Sequence, residues 1–383
     1  MILSTEPLLW NMVTEALKQN ISKETYFTMY ATDETIASGI AFLTYNVFSF
    51  WGDYVHPRQE ITDFVNANFE ELDTSLESVL HKIIEHTFVY GHCFSELVWR
   101  RKNGKYYLKA IIPLHPLLTS LKFDDNNQPE AVLFQADDGV REIPLRKIFA
   151  FKIGSGVYGE SKLRRIYKLY SMKRAFFMFW ATAMERYAMP IIHLQVEQTD
   201  ESKLRAMVDE VRNVWSNGVI ASTGSGVNLR LLEPSNNVSQ TFLEAIEFLN
   251  TLIYRGLLLP QLLISARSTG TYALGRVHFE LFSMAARRIT TQLAEALVDQ
   301  VVARILDNNF EDVDNYGKFV VTEQPSSDER FKLSQAFLNL INAGILDPVT
   351  DNEWIRNMLK FPVIEHDEEL HQAYFDLLRG ERE

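Results

Sequence analysis

At 383 residues the chain has room for two or three domains, and 46% apolar with 12% aromatic residues excludes a solvated, disordered polymer. A formal charge of -12 excludes a generally cationic surface, so any nucleic-acid contact is local or weak and anionic membranes are repelled. The one cysteine, Cys93, excludes an internal disulfide and a cysteine metal cluster.

Met1-Ile2-Leu3-Ser4-Thr5-Glu6 lacks the basic start and apolar core of a signal peptide, and the most apolar run, 175–183, is too short to span a bilayer. The expectation is a chain made in, and at first kept in, a reducing cytosol. Residues 1 to about 90 read as helical. Asp33 and Thr35 offer caps before Ile36, Ile40, Leu43 and Val47 at helical spacing. Pro57 opens a second helix with Ile61, Phe64, Val65 and Phe69 on its face, and a third uses Leu76, Val79, Leu80, Ile83, Ile84 and Phe88.

The period then changes to two. Segments 94–99, 105–112, 119–123, 131–135 and 148–152 alternate like strands, separated by Arg101-Lys102-Asn103-Gly104, Asp124-Asp125-Asn126-Asn127 and Asp137-Asp138-Gly139 turns. This predicts an antiparallel meander, in which Cys93 is an inert buried thiol. Gly154-Ser155-Gly156-Val157-Tyr158-Gly159 is a literal G-x-G-x-x-G. In a dinucleotide enzyme such glycines let backbone approach a pyrophosphate. Here the preceding strand belongs to a meander and the next strand ends too far on, at Glu197, to supply the ribose-binding acid. A turn before a helix is the simpler reading.

A helix over 161–187 follows. Its basic residues Lys162, Arg164, Arg165, Lys168, Lys173 and Arg174 spread around the axis, which suits a solvated or inter-subunit face better than a DNA stripe. Around Phe176-Phe177-Met178-Phe179-Trp180 the helix is apolar on its whole circumference, so it must be covered on all sides, within one large core or between subunits. A strand (191–196), a helix (201–215) and a glycine-turned pair of strands (218–221 and 227–232) form a small αβ insert. The next helix, 238–255, carries Phe242, Ile246, Leu249, Leu252 and Ile253 on one face. After it come the apolar turn 257–264 and the small polar loop Ser265-Ala266-Arg267-Ser268-Thr269-Gly270. With no proline between Pro260 and Pro325, one helix is predicted from near Thr271 to about Asp307, roughly 50 Å long, more than an ordinary core needs. A short strand (318–322) and two or three acidic helices finish an α+β chain.

Catalytic patterns are not apparent. There is no Gly-Lys-Ser/Thr phosphate loop and no G-x-S-x-G elbow, and the carboxylates are scattered. His81 and His86, five residues apart on a helix, point about 140° apart and share no metal readily. No cofactor, no metal and no enzymatic activity are expected.

Several segments in order resemble the portal proteins of tailed bacteriophages, and most closely the Mu-like branch. They are Thr32-Asp33-Glu34-Thr35-Ile36 through Val47-Phe48-Ser49-Phe50-Trp51, then Tyr90-Gly91 and the Glu96-Leu97-Val98-Trp99 strand. Tyr158-Gly159-Glu160-Ser161-Lys162-Leu163 resembles the family's lead-in to a stem helix, which closes at Glu185-Arg186-Tyr187-Ala188-Met189-Pro190, with Ala188 where relatives usually carry glycine. Gly270-Thr271-Tyr272-Ala273-Leu274-Gly275-Arg276 resembles the start of the spine. The resemblance implies a portal-type fold: wing 1–160, first stem helix 161–188, clip 189–237, second stem helix 238–256, turn and tunnel loop 257–271, spine 272–308, return strand 309–324 and a small crown 325–383. It implies a ring of about twelve copies at one capsid vertex, the conduit for packaging and ejecting double-stranded DNA. Implied partners are the terminase large subunit, a head–tail adaptor, the major capsid protein and scaffold, with no membrane contact; the setting is the virion, and host cytoplasm during assembly. Ser265, Ala266, Arg267, Ser268, Thr269 and Gly270 become the tunnel loop, and Phe176, Phe177, Phe179 and Trp180 become stem contacts between subunits. Two other readings compete: a nucleotide- or dinucleotide-dependent enzyme using Gly154 to Gly159, and a minor head protein without a channel.

Overall fold

Caps and changes of hydrophobic period locate the elements of the computed structural model, which describes residues 21–188, 191–196, 201–214, 219–223, 228–232, 238–259, 272–321, 327–343 and 345–346. Helix α1 (Lys23–Thr32) is capped by Ser22, and α2 (Glu34–Phe48) by Asp33, whose Oδ1 accepts from the backbone N–H of Thr35 and Ile36 at 3.0 Å each. The expected apolar face of α2 is buried at Ile36, Ile40, Leu43 and Val47. Helix α3 (Gln59–Glu70) buries Ile61, Val65 and Phe69, and α4 (Leu76–Tyr90) buries Leu80, Ile83, Ile84 and Phe88. Gly91 ends α4 in the left-handed region, at φ +94°.

The strands do not form one meander. Strand β2 (His92–Lys102) is central to a three-stranded sheet, paired antiparallel with β3 (Lys105–Leu114) on one edge and β7 (Ile148–Lys152) on the other. Strands β4 (Thr119–Phe123), β5 (Pro129–Ala136) and β6 (Gly139–Pro144) make a separate antiparallel sheet. The break lies at Pro116, which lacks an N–H for the ladder; a 3-10 turn, Pro116–Leu118, redirects the chain there. Lys23 Nζ holds that corner, donating to the carbonyls of Pro116 and Thr119 at 2.9 Å each. Strand β6 escaped the sequence reading because most of its side chains are exposed, which leaves no apolar alternation. Phe94, Leu114 and Ile148 from the first sheet and Val132 and Ile143 from the second share one core. Asn103 and Gly104, at φ +51° and +81°, form the tight β2–β3 turn that their sequence predicts.

The helix expected over 161–187 begins as a 3-10 turn, Lys162–Ile166, capped by Ser161, and becomes α-helical as α5 (Tyr167–Ala188). The αβ insert contains β8 (Ile191–Val196), α6 (Glu201–Val214), β9 (Val219–Thr223) and β10 (Asn228–Leu232). Strands β9 and β10 are not a hairpin pair. Both flank β8, β9 parallel and β10 antiparallel. The α6 crossover allows the parallel step, and it gives both edges of the apolar β8 strand a partner.

Helix α7 (Val238–Gly256) packs against α5 and against α2, and α2 packs in turn against α8 (Tyr272–Leu297). The long helix ends where the sequence predicts but is not uniform: a π turn, Val298–Val302, separates α8 from α9 (Ala303–Asp307). Within that turn the Gln300 amide accepts from the Ala150 N–H at 2.9 Å and donates to the Ala150 carbonyl at 3.0 Å, so it pairs with β7 as a strand would. Strand β11 (Lys318–Phe319) returns to pair with β1 (Tyr54–Val55). All of this belongs to one unit, residues 21–48 and 53–320. A second unit comprises 49–52 and the described residues beyond 320, with helix α10 (Ser327–Asn342). Of the expected C-terminal helices α10 is described; the remainder lies outside the described residues. No described helix is long and apolar enough to cross a membrane.

Candidate channel and ring-contact sites

The expected tunnel loop, Ser265, Ala266, Arg267, Ser268, Thr269 and Gly270, lies outside the described residues. Its lead-in is well defined. Helix α7 closes with paired terminal bonds: the Leu259 N–H donates to the Tyr254 carbonyl at 2.9 Å and the Leu258 N–H to the Arg255 carbonyl at 3.0 Å. This is a Schellman closure, and its left-handed position is held by Leu258 at φ +65°, where glycine is usual. Such a conformation costs about 1–2 kcal/mol for a non-glycine residue. Burial of the two neighbours opposes that cost. Leu257 and Leu259 are buried against Gly39 of α2, where an added Cβ would come within 2.6 Å of Leu257 and 3.2 Å of Leu259. The chain therefore leaves α7 in a direction fixed by α2.

The corner between α1 and α2 also fixes α5. Lys173, 1% exposed, donates from Nζ to Asp33 at 3.0 Å, Glu34 at 2.8 Å and the Thr35 hydroxyl at 2.9 Å. Thr35 passes the chain on, donating to Asn250 Oδ1 of α7 at 3.0 Å. Burial alone would raise the Glu34 carboxyl; its hydrogen bonds and charge contact with Lys173 outweigh that and hold it below its ordinary value. One buried cation thus ties α5, α2 and α7 together. The sequence places Lys173 in a basic run and Asp33 at a cap, but their pairing across 140 residues leaves no local pattern. Lys173 is consequently not a DNA-facing charge, whereas Arg164, Arg165, Lys168 and Arg174 are exposed.

The aromatic run on α5 divides. Phe176 packs edge-on against Phe242 of α7, ring centroids 6.3 Å apart. Phe177 remains 40% exposed beneath the Lys173 ammonium, Met178 is exposed, and Phe179 and Trp180 are half-buried. The buried Trp180 Nε1–H has no acceptor among the described residues.

The glycine-rich segment serves the backbone. Gly154, Gly156 and Gly159 all have positive φ, and a Cβ on Gly159 would lie 2.4 Å from the Gly91 carbonyl oxygen and 2.6 Å from that of Ile153. The Glu160 N–H closes the loop onto the Ile153 carbonyl at 2.7 Å, and the Ile153 N–H donates to the Gly91 carbonyl at 3.1 Å. The strand before it, β7, is antiparallel to β2, so the βαβ setting of a dinucleotide site is not formed here.

Cys93 is fully buried beside His86 and Ser95, and burial pushes its thiol up to about 12, in keeping with an inert core thiol. His86 stands against His115 and Tyr90, whereas His81 packs on Phe48 and Tyr45. These two imidazoles face different surroundings. Among the described residues no group of three or more His, Cys, Asp or Glu side chains is placed to hold a metal.

A family model described as the portal protein of Mu bacteriophage matches residues 24–361. No match is found among curated proteins. Among solved structures, a chain of the "Neck of empty GTA particle computed with C6 symmetry" has a TM-score of 0.62 at 11% identity, covering 90% of this chain and 95% of that one. A chain of the "Virion of native gene transfer agent (GTA) particle" gives 0.59 at 11% identity, covering 94% and 100%. The "Neck of native GTA particle computed with C12 symmetry" gives 0.58 at 12%, covering 88% and 92%. At these identities the likeness is one of fold.

Proposed function

This chain belongs to the family of the portal protein of Mu bacteriophage, and from that premise we propose that its copies close into a ring of about twelve at one vertex of a capsid, the conduit through which DNA is packaged and ejected. The observation that carries this reading is the family match over 24–361, nearly the whole chain. The fold likeness to particle-neck chains, one from a neck described with twelve-fold symmetry, agrees with it. The family is structural rather than catalytic, and we propose no reaction for this chain.

The physical chemistry of the chain suits a conduit. Its net charge of -12 keeps non-specific, counterion-releasing attachment to DNA weak, so cargo slides rather than sticks. Terminase supplies the drive and later gives way to a head–tail adaptor, both docking on the β8–β10 insert, while the outer domain faces the major capsid protein and scaffold. The segment 265–270, entered through the fixed Leu257–Leu259 turn, lies at the narrowest point of the channel, with Arg267 its one charge. Exposed Phe177 and half-buried Phe179 and Trp180 meet the neighbouring subunit, with Phe176 behind them on Phe242. The ring assembles in host cytoplasm before it is built into the particle.

End-on images of the purified protein test the reading: rings with a through-going lumen are expected, and a compact particle without a lumen would point to a minor head protein instead. Deleting 265–270 tests the loop separately. Rings should still form but retain DNA poorly, and full packaging and retention would remove the loop from the channel.

A further inference from the structure

Helix α8 exposes a stripe that the described residues of its own chain leave uncovered. Phe282, Ala286, Leu293 and Leu297 are buried on its inner face. On the opposite side Leu281 and Met284 are 61% and 69% exposed, and Met284, Arg287, Arg288, Thr291, Gln292 and Glu295 line an open groove of about 460 Å³. Neither Arg287 nor Arg288 takes an acidic partner among the described residues. A large thioether flanked by two free guanidinium groups is a surface for an aromatic ring with a carboxylate beside it.

Helix α7 carries such a pair. Its inner face is buried at Ile246, Leu249 and Ile253, while Phe248, 60% exposed, stands one turn from exposed Glu244, which accepts a hydrogen bond from Gln240 alone among the described residues. Helix α2 packs against both α7 and α8, and the two patches sit on these two different helices. Two different, complementary patches on one chain join copies head to tail, and a head-to-tail contact that closes makes a ring.

We infer that the Glu244–Phe248 side of α7 in one copy seats in the Met284–Arg288 groove of α8 in the next. This rests on the ring reading above and adds which surfaces pair and in which sense. Phe248 covers Met284, and Glu244 meets Arg287 and Arg288. The contact is between charged groups at exposed positions, so it weakens with salt.

The test uses full-length variants that each carry one added cysteine, Phe248→Cys or Met284→Cys, kept apart or mixed before assembly and treated with a short thiol-reactive bifunctional cross-linker. Native Cys93 is buried and does not compete. Both substitutions are at exposed positions, so folding is retained. The mixture should give linked pairs containing one chain of each kind, and neither variant alone should link. Intact rings that yield no mixed pairs would overturn the inference and leave the ring standing. Linkage within one variant alone would replace the head-to-tail contact with a two-fold one. Wild-type chain that forms no ring would instead defeat the reading on which the inference rests. As a second measurement, Arg288→Glu should raise the protein concentration needed for assembly about tenfold, and Glu244→Arg added to it should recover most of that loss. No recovery alongside absent cross-links would confirm the failure.

Discussion

The α1–β7 region and the α5–α7–α8 helices differ in where their long-range polar contacts and their outward apolar side chains fall. In the first, groups distant in sequence are paired within the chain, although Tyr45, Ile112 and Val140 are exposed and the buried His92 Nε2 has no partner among the described residues. Lys23 satisfies two carbonyls, Gln300 completes an open strand edge, and His86, His92 and Cys93 sit among their own neighbours. The second keeps a sound inner face at Ile246, Leu249, Ile253, Phe282 and Leu293, yet exposes Phe177, Phe248, Leu281 and Met284 outward. On the proposed function the outward side chains of the second region join chains, whereas the paired groups of the first stabilise one chain, and this predicts different losses when each is damaged.

The largest expected effect is at the link between the two regions. Lys173→Met leaves the buried Asp33 carboxylate without its cation, which costs about 3–5 kcal/mol. Denaturant unfolding at fixed protein concentration measures it. A loss below about 1 kcal/mol would mean that the cluster is not what orders α5 against α2.

Acid should undo the first region next. Burial, then the nearby His115 and Lys82 charges, lower His86 to about 3, and burial, then Lys23, lowers His92 to about 4. Both remain neutral when folded and take protons near 6.5 when unfolded. Their contribution is therefore present above pH 6.5 and is lost progressively as the pH falls towards 4 and then 3. Stability followed from pH 7.5 to 4 should drop by a few kcal/mol, less steeply in a His92→Phe variant. A flat profile would show that these imidazoles are not buried neutral.

A smaller loss belongs to the glycine-rich loop. Gly159→Ala combines a positive φ with two backbone collisions and should destabilise by about 2–3 kcal/mol, whereas Gly156→Ala, with positive φ and open space, should cost about 1 kcal/mol. Equal effects would contradict the close approach to Gly91. The smallest effect on a single chain is at Phe177→Ser, within about 0.5 kcal/mol, yet assembly should weaken measurably. If both were unchanged, Phe177 would not be a ring contact.

Local rules made much of this fold legible. Asp33 at the start of α2, Asn103-Gly104 between β2 and β3, and the proline-free stretch ending at Asp307 each announce themselves within a few residues. What was not legible is set by distant partners. The separation of two sheets depends on Pro116 and on Lys23 reaching across 93 residues, and the pairing of β9 and β10 with β8 rather than with each other depends on the α6 crossover. The π turn has no composition of its own; it exists where Gln300 must meet Ala150. For the candidate site, the aromatic run and the apolar turn at 257–264 were visible as unusual patterns. Lys173 looked like surface charge, and the α8 stripe was not singled out within a long proline-free helix. Neither pairing nor exposure can be read from one segment alone.

Native mass measurement of the full-length protein across a range of concentrations tests the central claim most directly. The account predicts one dominant species, a closed ring of about twelve 44.2-kDa chains, formed cooperatively and without nucleic acid. A stable monomer or dimer at high concentration would contradict it.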